Sequence, residues 1–230
     1  MAVHRGCRAP HGAPAQCLGH GPVRRVAIRR REARTRCDGL RPCFGCPRGG
    51  GRVFSHLVLA SRSPQRTAIL SQLGIDHEVR PSDAAELAEG DPEAVAVENA
   101  RRKALAVDGE LVLGVDTLVA LDGVIYGKPR DRDEARSTLV ALSGATHQVV
   151  SGVALARGRQ VETRSAVTDV TFRALSAAQI EWYLATGEWC ERAGGYAIQG
   201  RGAALVRGIS GDYLNVVGLP AAALLDLLGW

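Results

Sequence analysis

The feature that most limits what this chain can fold into is the stretch LVLGVDTLVALDGVIYGKP, residues 111–129. Its first part is apolar enough for burial, yet it carries a carboxylate, Asp116, beside Thr117. An acidic side chain in a buried strand is costly unless it is paired, hydrogen-bonded or bound to a metal ion. Asp122-Gly123 is a strong hairpin signal, so the chain turns back and presents Lys128 ahead of the rigid Pro129. A carboxylate in a strand and a cation on the returning segment suit a negatively charged substrate with its metal ion.

Strand-like and helix-like segments alternate around this hairpin. Residues 57–60 read as a short apolar strand, and Ser63 and Pro64 open a helix that stops at Gly74. A strand is expected near 75–80. Asp91-Pro92 begins a second helix, with Val95, Asn99, Arg102, Lys103 and Ala106 at roughly helical spacing. Asp131 caps a third helix with Ala135, Leu139 and Leu142 inward, and strands near 146–157 and 160–173 meet at Arg157-Gly158-Arg159. Ser176 caps a helix through Ile180, Tyr183 and Leu184 to Gly187, and the Gly-rich stretch 194–211 holds at least one strand. Residues 219–228 make a final apolar helix. Hairpins and crossover helices together give one α/β domain with a mixed sheet and flanking helices.

Charge divides the 230 residues unevenly. Residues 1–52 hold 12 Arg against Glu32 and Asp38, whereas the remainder holds 17 basic and 22 acidic residues. The body is mildly acidic, so the net charge of +5 is no argument for a nucleic-acid partner. Cysteine follows the same division: Cys7, Cys17, Cys37, Cys43 and Cys46 precede the body, which keeps Cys190 alone. Such a body needs no disulfide and fits a reducing, cytoplasmic compartment. No run reaches the roughly 18 apolar residues of a membrane span.

The leader, residues 1–52, is rich in Arg, Gly, Pro and Cys and lacks apolar periodicity, so disorder is expected. Cys43-x-x-Cys46 lacks the second ligand pair of a zinc site, and no secretory apolar core follows the basic residues. A mis-assigned start is the simpler expectation. Met1 is the only methionine, and Val53 stands just before the globular patterning, which places the domain at 53–230.

The remaining candidate residues are individually weak. Ser61-Arg62-Ser63-Pro64-Gln65-Arg66 joins a strand end to a helix start, whose free N–H groups and Arg66 would bind an anion, although Ser-x-Ser-Pro is a common helix opening. Lys103 extends the charged pair Arg101-Arg102, and Glu86 lies in a polar loop. Gln199, in Ala193-Gly194-Gly195-Tyr196-Ala197-Ile198-Gln199-Gly200, is an amide suited to a base edge. Taken together, cations for a polyphosphate, two carboxylates for a divalent metal and an amide for a nucleobase describe one site.

These motifs, with Lys103-Ala104, Gly114-x-Asp116-Thr117, Gly127-Lys128-Pro129, Leu142-Ser143-Gly144-x-Thr146-His147 and Val217-Gly218-Leu219-Pro220, resemble the Maf-like nucleoside triphosphate pyrophosphatases from residue 57 to 228. The resemblance implies an inosine-triphosphatase-like fold with a cleft between two lobes. It also implies hydrolysis of a nucleoside triphosphate between the α and β phosphorus atoms with a divalent cation, Mg or Mn. Its functional residues fall on Ser61, Arg66, Glu86, Lys103, Asp116, Lys128 and Gln199, with Asp116 as proton acceptor and, with Glu86, metal ligand. Thr117 and Gln199 match the dTTP/UTP-directed branch; Gln65, at a position tied to substrate preference, stands where that branch often has Arg. Ala85 stands where an acidic residue often precedes the glutamate. Asn99 replaces an apolar residue at what is expected to be a tolerant helix position. The resemblance further implies a homodimer. It leaves two alternatives open: a nucleotide-sensing regulator of septum formation, or an enzyme directed at 7-methyl-GTP. N-terminal sequencing of the native protein is expected to read from Val53; a native peptide from residues 10–45 overturns that start.

Overall fold

Seven strands make one mixed sheet in the order β2-β1-β3-β5-β6-β7, with β4 added to β3. The computed structural model describes residues 56–230, so the expectations for the leader (its disorder, its cysteine pair and the start at Val53) lie outside the described residues. In chain order the elements are β1 Leu57–Leu59, α1 Pro64–Gln72, β2 His77–Val79, α2 Pro92–Leu105, β3 Leu111–Leu121, β4 Val124–Tyr126 and α3 Arg132–Leu142. They continue as β5 Thr146–Arg157, β6 Gln160–Phe172, α4 Ala177–Leu184, β7 Val206–Ser210, α5 Tyr213–Val217 and α6 Ala221–Leu228. β1 runs parallel to β2 and β3, while β3 pairs antiparallel with both β4 and β5. The mixed sheet with flanking helices is the architecture the alternation of segments implied.

The long strand β3 is the spine. Side chains alternate across its two faces. On one face Val112 lies with Val58, Ala60, Ala154 and Ala156 against Ala100 and Ala104 of α2. On the other, Leu113 and Val115 pack with Ile69 and Leu70 of α1 and Leu224 and Leu227 of α6. Further along that same face Val119 packs with Ala135, Leu139 and Leu142 of α3 and Ile180 and Tyr183 of α4. One strand therefore carries two apolar clusters, one toward each end, while α2 crosses the opposite face.

The approach of α2 is unusually close and is made possible by small residues. Gly114 and Gly152 lie under the helix; a Cβ at Gly114 would collide with the Ala100 carbonyl oxygen, and one at Gly152 with that of Ala96. Gly152 is the register partner of Asp116. The helix backbone thus rests on the sheet beside the buried carboxylate of Asp116.

Local departures from expectation have local causes. Ser63 stands at the N-cap of α1 with Pro64 behind it, but its hydroxyl donates to Gln65 Oε1 (3.1 Å) and caps nothing. The strand expected near 75–80 is only His77–Val79, and the last helix starts at Ala221 because Pro220 occupies its N-cap. The short helix α5 was not foreseen; the Asp212 carboxylate caps it by accepting from Leu214 N. Among the described residues no helix is long and apolar enough to cross a membrane.

Gly152→Ala is expected to lower the unfolding free energy by about 3 kcal/mol, read from urea denaturation, because a buried helix backbone has to move. A parental midpoint would show that α2 does not rest on this residue.

Candidate active site

The sheet is incomplete along β3. Its edge opposite β5 pairs with β1 only through Leu113 and with β4 only from Val119. Between them residues 114–118 have no strand on that side, and Asp116 and Thr117 sit in the interval. β1 leads into the Ser61 loop at one end of the opening, and β4 leads into Lys128 at the other. Ligands in open α/β sheets collect where neighbouring strands diverge in this way.

Asp116 faces α2 and is buried, 6% exposed. Lys103 Nζ donates to Asp116 Oδ1 at 2.6 Å and stands 2.5 Å from Glu86 Oε1. The second carboxylate oxygen, Oδ2, accepts from Asn99 Nδ2 at 2.9 Å. The charged run Arg101-Arg102 is solvated as such runs usually are, but Lys103 is turned inward and is 9% exposed. The ammonium offsets the desolvation of the buried Asp116 carboxylate, while Glu86 meets it from the exposed side.

Thr117 points to the other face and meets Arg66 of α1. The guanidinium donates from Nε to Gly218 O (2.9 Å), from Nη1 to Ser61 Oγ (2.9 Å) and from Nη2 to Thr117 Oγ1 (3.2 Å). Thr117 Oγ1 and Ser151 Oγ share a further hydrogen bond of 2.9 Å. Burial pulls the Arg66 pKa below the ordinary arginine value, while the charges of Asp116 and Glu86 work against that fall. The guanidinium remains charged in either case, with two N–H groups uncommitted. Ser61 Oγ also accepts from Ser63 N (3.2 Å).

The second lobe supplies exposed groups. Gly194 N donates to Gly127 O (3.0 Å), which ties the Gly-rich loop to the segment carrying Lys128. Lys128 Nζ lies 3.5 Å from Glu191 Oε2, with its side chain more than half exposed. Gln199 is exposed on a loop that Glu188 holds by accepting from Arg201 N (2.7 Å) and Gly202 N (3.4 Å). Beneath the loop, His147, Phe172 and Tyr196 stack edge to face, and the Tyr196 hydroxyl shares a hydrogen bond with His147 Nε2. Burial pushes the His147 pKa down to about 4, so this histidine is a neutral core residue. Gln65 is half-buried and turned to Ser63.

Ser61, Arg66, Thr117, Asp116, Lys103 and Glu86 thus form one cluster, which Lys128 and Gln199 flank without bonding to it. Three groups in contact with the cluster had not been given a role in it: Asn99, Ser151 and the Gly218 carbonyl; nor had Glu188, which holds the Gln199 loop. The expectation that Asn99 occupies a tolerant helix position is overturned, since it is 1% exposed and bonds Asp116. Its place one helical turn before Lys103 was the available signal. For Ser151 the signal was a hydroxyl inside the apolar run of β5. Among the described residues no group of three or more His, Cys, Asp or Glu side chains is arranged to hold a metal. Glu86 and Asp116 meet through the Lys103 ammonium and are the two carboxylates at this site that could hold a cation.

The family model described as Maf-like protein matches residues 56–229. The chain is similar to the dTTP/UTP pyrophosphatase of Anaeromyxobacter sp. (strain Fw109-5), at 51% identity over 75% of this chain and 87% of that protein. It is also similar to the dTTP/UTP pyrophosphatases of Symbiobacterium thermophilum (46% identity, 76% of this chain, 93% of that one) and Pyrococcus furiosus (46%, 75% and 93%).

Removing the shared cation should expose the cost of the two carboxylates. Lys103→Met is expected to destabilise by about 3 kcal/mol in urea denaturation, the range found when one partner of a buried pair is removed. Adding Asp116→Asn should return part of that loss; strictly additive effects would mean the pair is uncoupled.

Proposed function

The chain belongs to the Maf-like protein family, and from that premise we propose that it is a nucleoside triphosphate pyrophosphatase acting on dTTP and UTP. The observation that carries this reading is the Asp116 carboxylate, set in the open interval of β3 with Lys103, Glu86 and Arg66 around it. Relatives bearing the name dTTP/UTP pyrophosphatase support the substrate class.

The chemistry follows from the uncommitted donors. Ser61 Oγ already accepts two hydrogen bonds, so its own proton is left for a phosphate oxygen. Arg66 has two N–H groups to spare, and Lys103 has one donor beyond its two carboxylates. With Lys128 at the far side of the opening, these groups neutralise the charge that accumulates on departing pyrophosphate, where electrostatic stabilisation contributes most. Water attacks the α phosphorus, the bond to the bridging oxygen breaks, and the monophosphate and pyrophosphate separate. Asp116 accepts the proton of the attacking water.

Glu86 and Asp116 are the residues that would hold a divalent cation, Mg or Mn. When bound, it draws charge from the phosphate oxygens and acidifies the attacking water. Gln199, carried on the Gly-rich loop, presents an amide that matches the alternating donors and acceptors of a uracil or thymine edge. Thr117 contributes through Arg66, whose guanidinium it receives, and Gln65 stands at the entrance to α1. The catalytic unit is the body from Val53, working in the cytoplasm as a homodimer.

With Mg²⁺ and a panel of dTTP, UTP, CTP, 7-methyl-GTP and ITP, pyrophosphate is expected from dTTP and UTP. Asp116→Asn should lower that rate by at least about 1000-fold in a protein that still unfolds cooperatively. Orthophosphate as the sole product, or turnover of 7-methyl-GTP alone, would sink the proposal.

A further inference from the structure

We infer that Asn99 is a positioning residue of this site, one that fixes the orientation of the Asp116 carboxylate and docks the loop bearing Glu86 against it. The inference rests on the pyrophosphatase reading and deepens it, because it names what sets the geometry of the two acidic groups.

A carboxamide has two N–H donors and one carbonyl acceptor. Asn99 commits all three kinds of capacity in different directions. Nδ2 donates to Asp116 Oδ2 (2.9 Å) and to Leu87 O (3.0 Å), while Oδ1 accepts from Leu87 N (2.7 Å). The opposite amide orientation would set an oxygen against two acceptors, so the partners themselves determine which atom is nitrogen. At the carboxylate, Oδ1 belongs to Lys103 and Oδ2 to Asn99. The terminal torsion of an aspartate is otherwise broad and soft. Two donors one turn apart on α2 hold it in one plane.

The effect on Glu86 is through the backbone. Residues 80–91 contain no helix or strand. The Leu87 side chain is exposed, so apolar burial does not dock this loop. Arg80 anchors the start of the loop through Leu59 O and Asp108 O. Within 82–90 the other links are the exposed Arg62–Asp83 pair, a long Arg102 contact to Ala85 O (3.4 Å), and Glu86 itself on Lys103. The two-bond pairing of Asn99 with both backbone groups of Leu87 is the link that a buried side chain makes to the backbone of this loop, one residue from Glu86. A Leu at position 99 would fill the same space and leave Asp116 Oδ2 and both Leu87 groups without this partner.

The test compares the parent with Asn99→Leu and Asn99→Asp by hydrogen exchange and by steady-state hydrolysis of dTTP. In Asn99→Leu, amides in 82–90 should exchange about tenfold faster, with β3 and β5 unchanged. The kcat should fall about 100-fold with KM held within about threefold, the signature of misplaced groups that do not themselves bind substrate. Asn99→Asp keeps an acceptor for Leu87 N but loses the donors to Asp116 and to Leu87 O, so it should retain part of the loop's protection while losing kcat as severely. Parental exchange together with parental kcat in either variant overturns the inference, as does a loss that falls on KM alone. If the parent does not turn over dTTP, the functional reading fails. Faster exchange confined to 82–90 in Asn99→Leu would then still support the clamp, and unchanged exchange would reject it.

Discussion

A single buried ion pair organises this molecule. Asp116 lies mid-strand among apolar neighbours, and the Lys103 ammonium that meets it also holds Glu86. Removing such charges from water is expensive, and the attraction between them repays that cost only when the remaining hydrogen-bonding capacity is satisfied. The demand reaches outward: Lys103 can arrive only if α2 lies nearly on the sheet, which needs Gly114 and Gly152 beneath it and Ala96, Ala100 and Ala104 above. A helix at the usual distance would leave the carboxylate unmet.

Strand geometry then divides the site between two faces. Asp116 and Thr117 are neighbours in the chain, so they point in opposite directions. The acidic pair is assembled on the α2 side, and the Arg66–Ser61–Thr117 group on the α1 side, joined across a stretch of β3 with no strand at its edge. The same strand supports the second lobe, where Val119 packs under Gly194 and the aromatic trio of His147, Phe172 and Tyr196 supports the loop carrying Gln199.

Much of this was legible in the chain because it depends on local rules. The period of the apolar residues, the turn at Asp122-Gly123 and the capping residues Asp91, Asp131 and Ser176 act over a few residues, and each element they mark is present. The cluster of Ser61, Arg66, Glu86, Lys103 and Asp116 was named through motif resemblance, and proximity in space brings those side chains together. Asn99 was noticed but placed at a tolerant position, because its spacing to Lys103 shows only a shared helix face and its partners lie 12 and 17 residues away. Ser63 was assigned a cap on sound propensity, yet its hydroxyl takes Gln65 as a nearer competitor.

Taken alone, the sequence determined most element types and the mixed α/β architecture, since periodicity, caps and turns act within a few residues. Its motifs carried the resemblance that pointed to the family and to the residues able to carry charge to a phosphate. Only the tertiary structure decided which of the charged residues are paired in the interior and which stay at the surface. Lys103 is buried between two acids while Lys128 is largely exposed, although each is a lysine beside a small residue or a proline. The reason is distance: desolvation and ion pairing depend on what packs against a group from elsewhere in the chain, and the Gly218 carbonyl that receives Arg66 is 152 residues away.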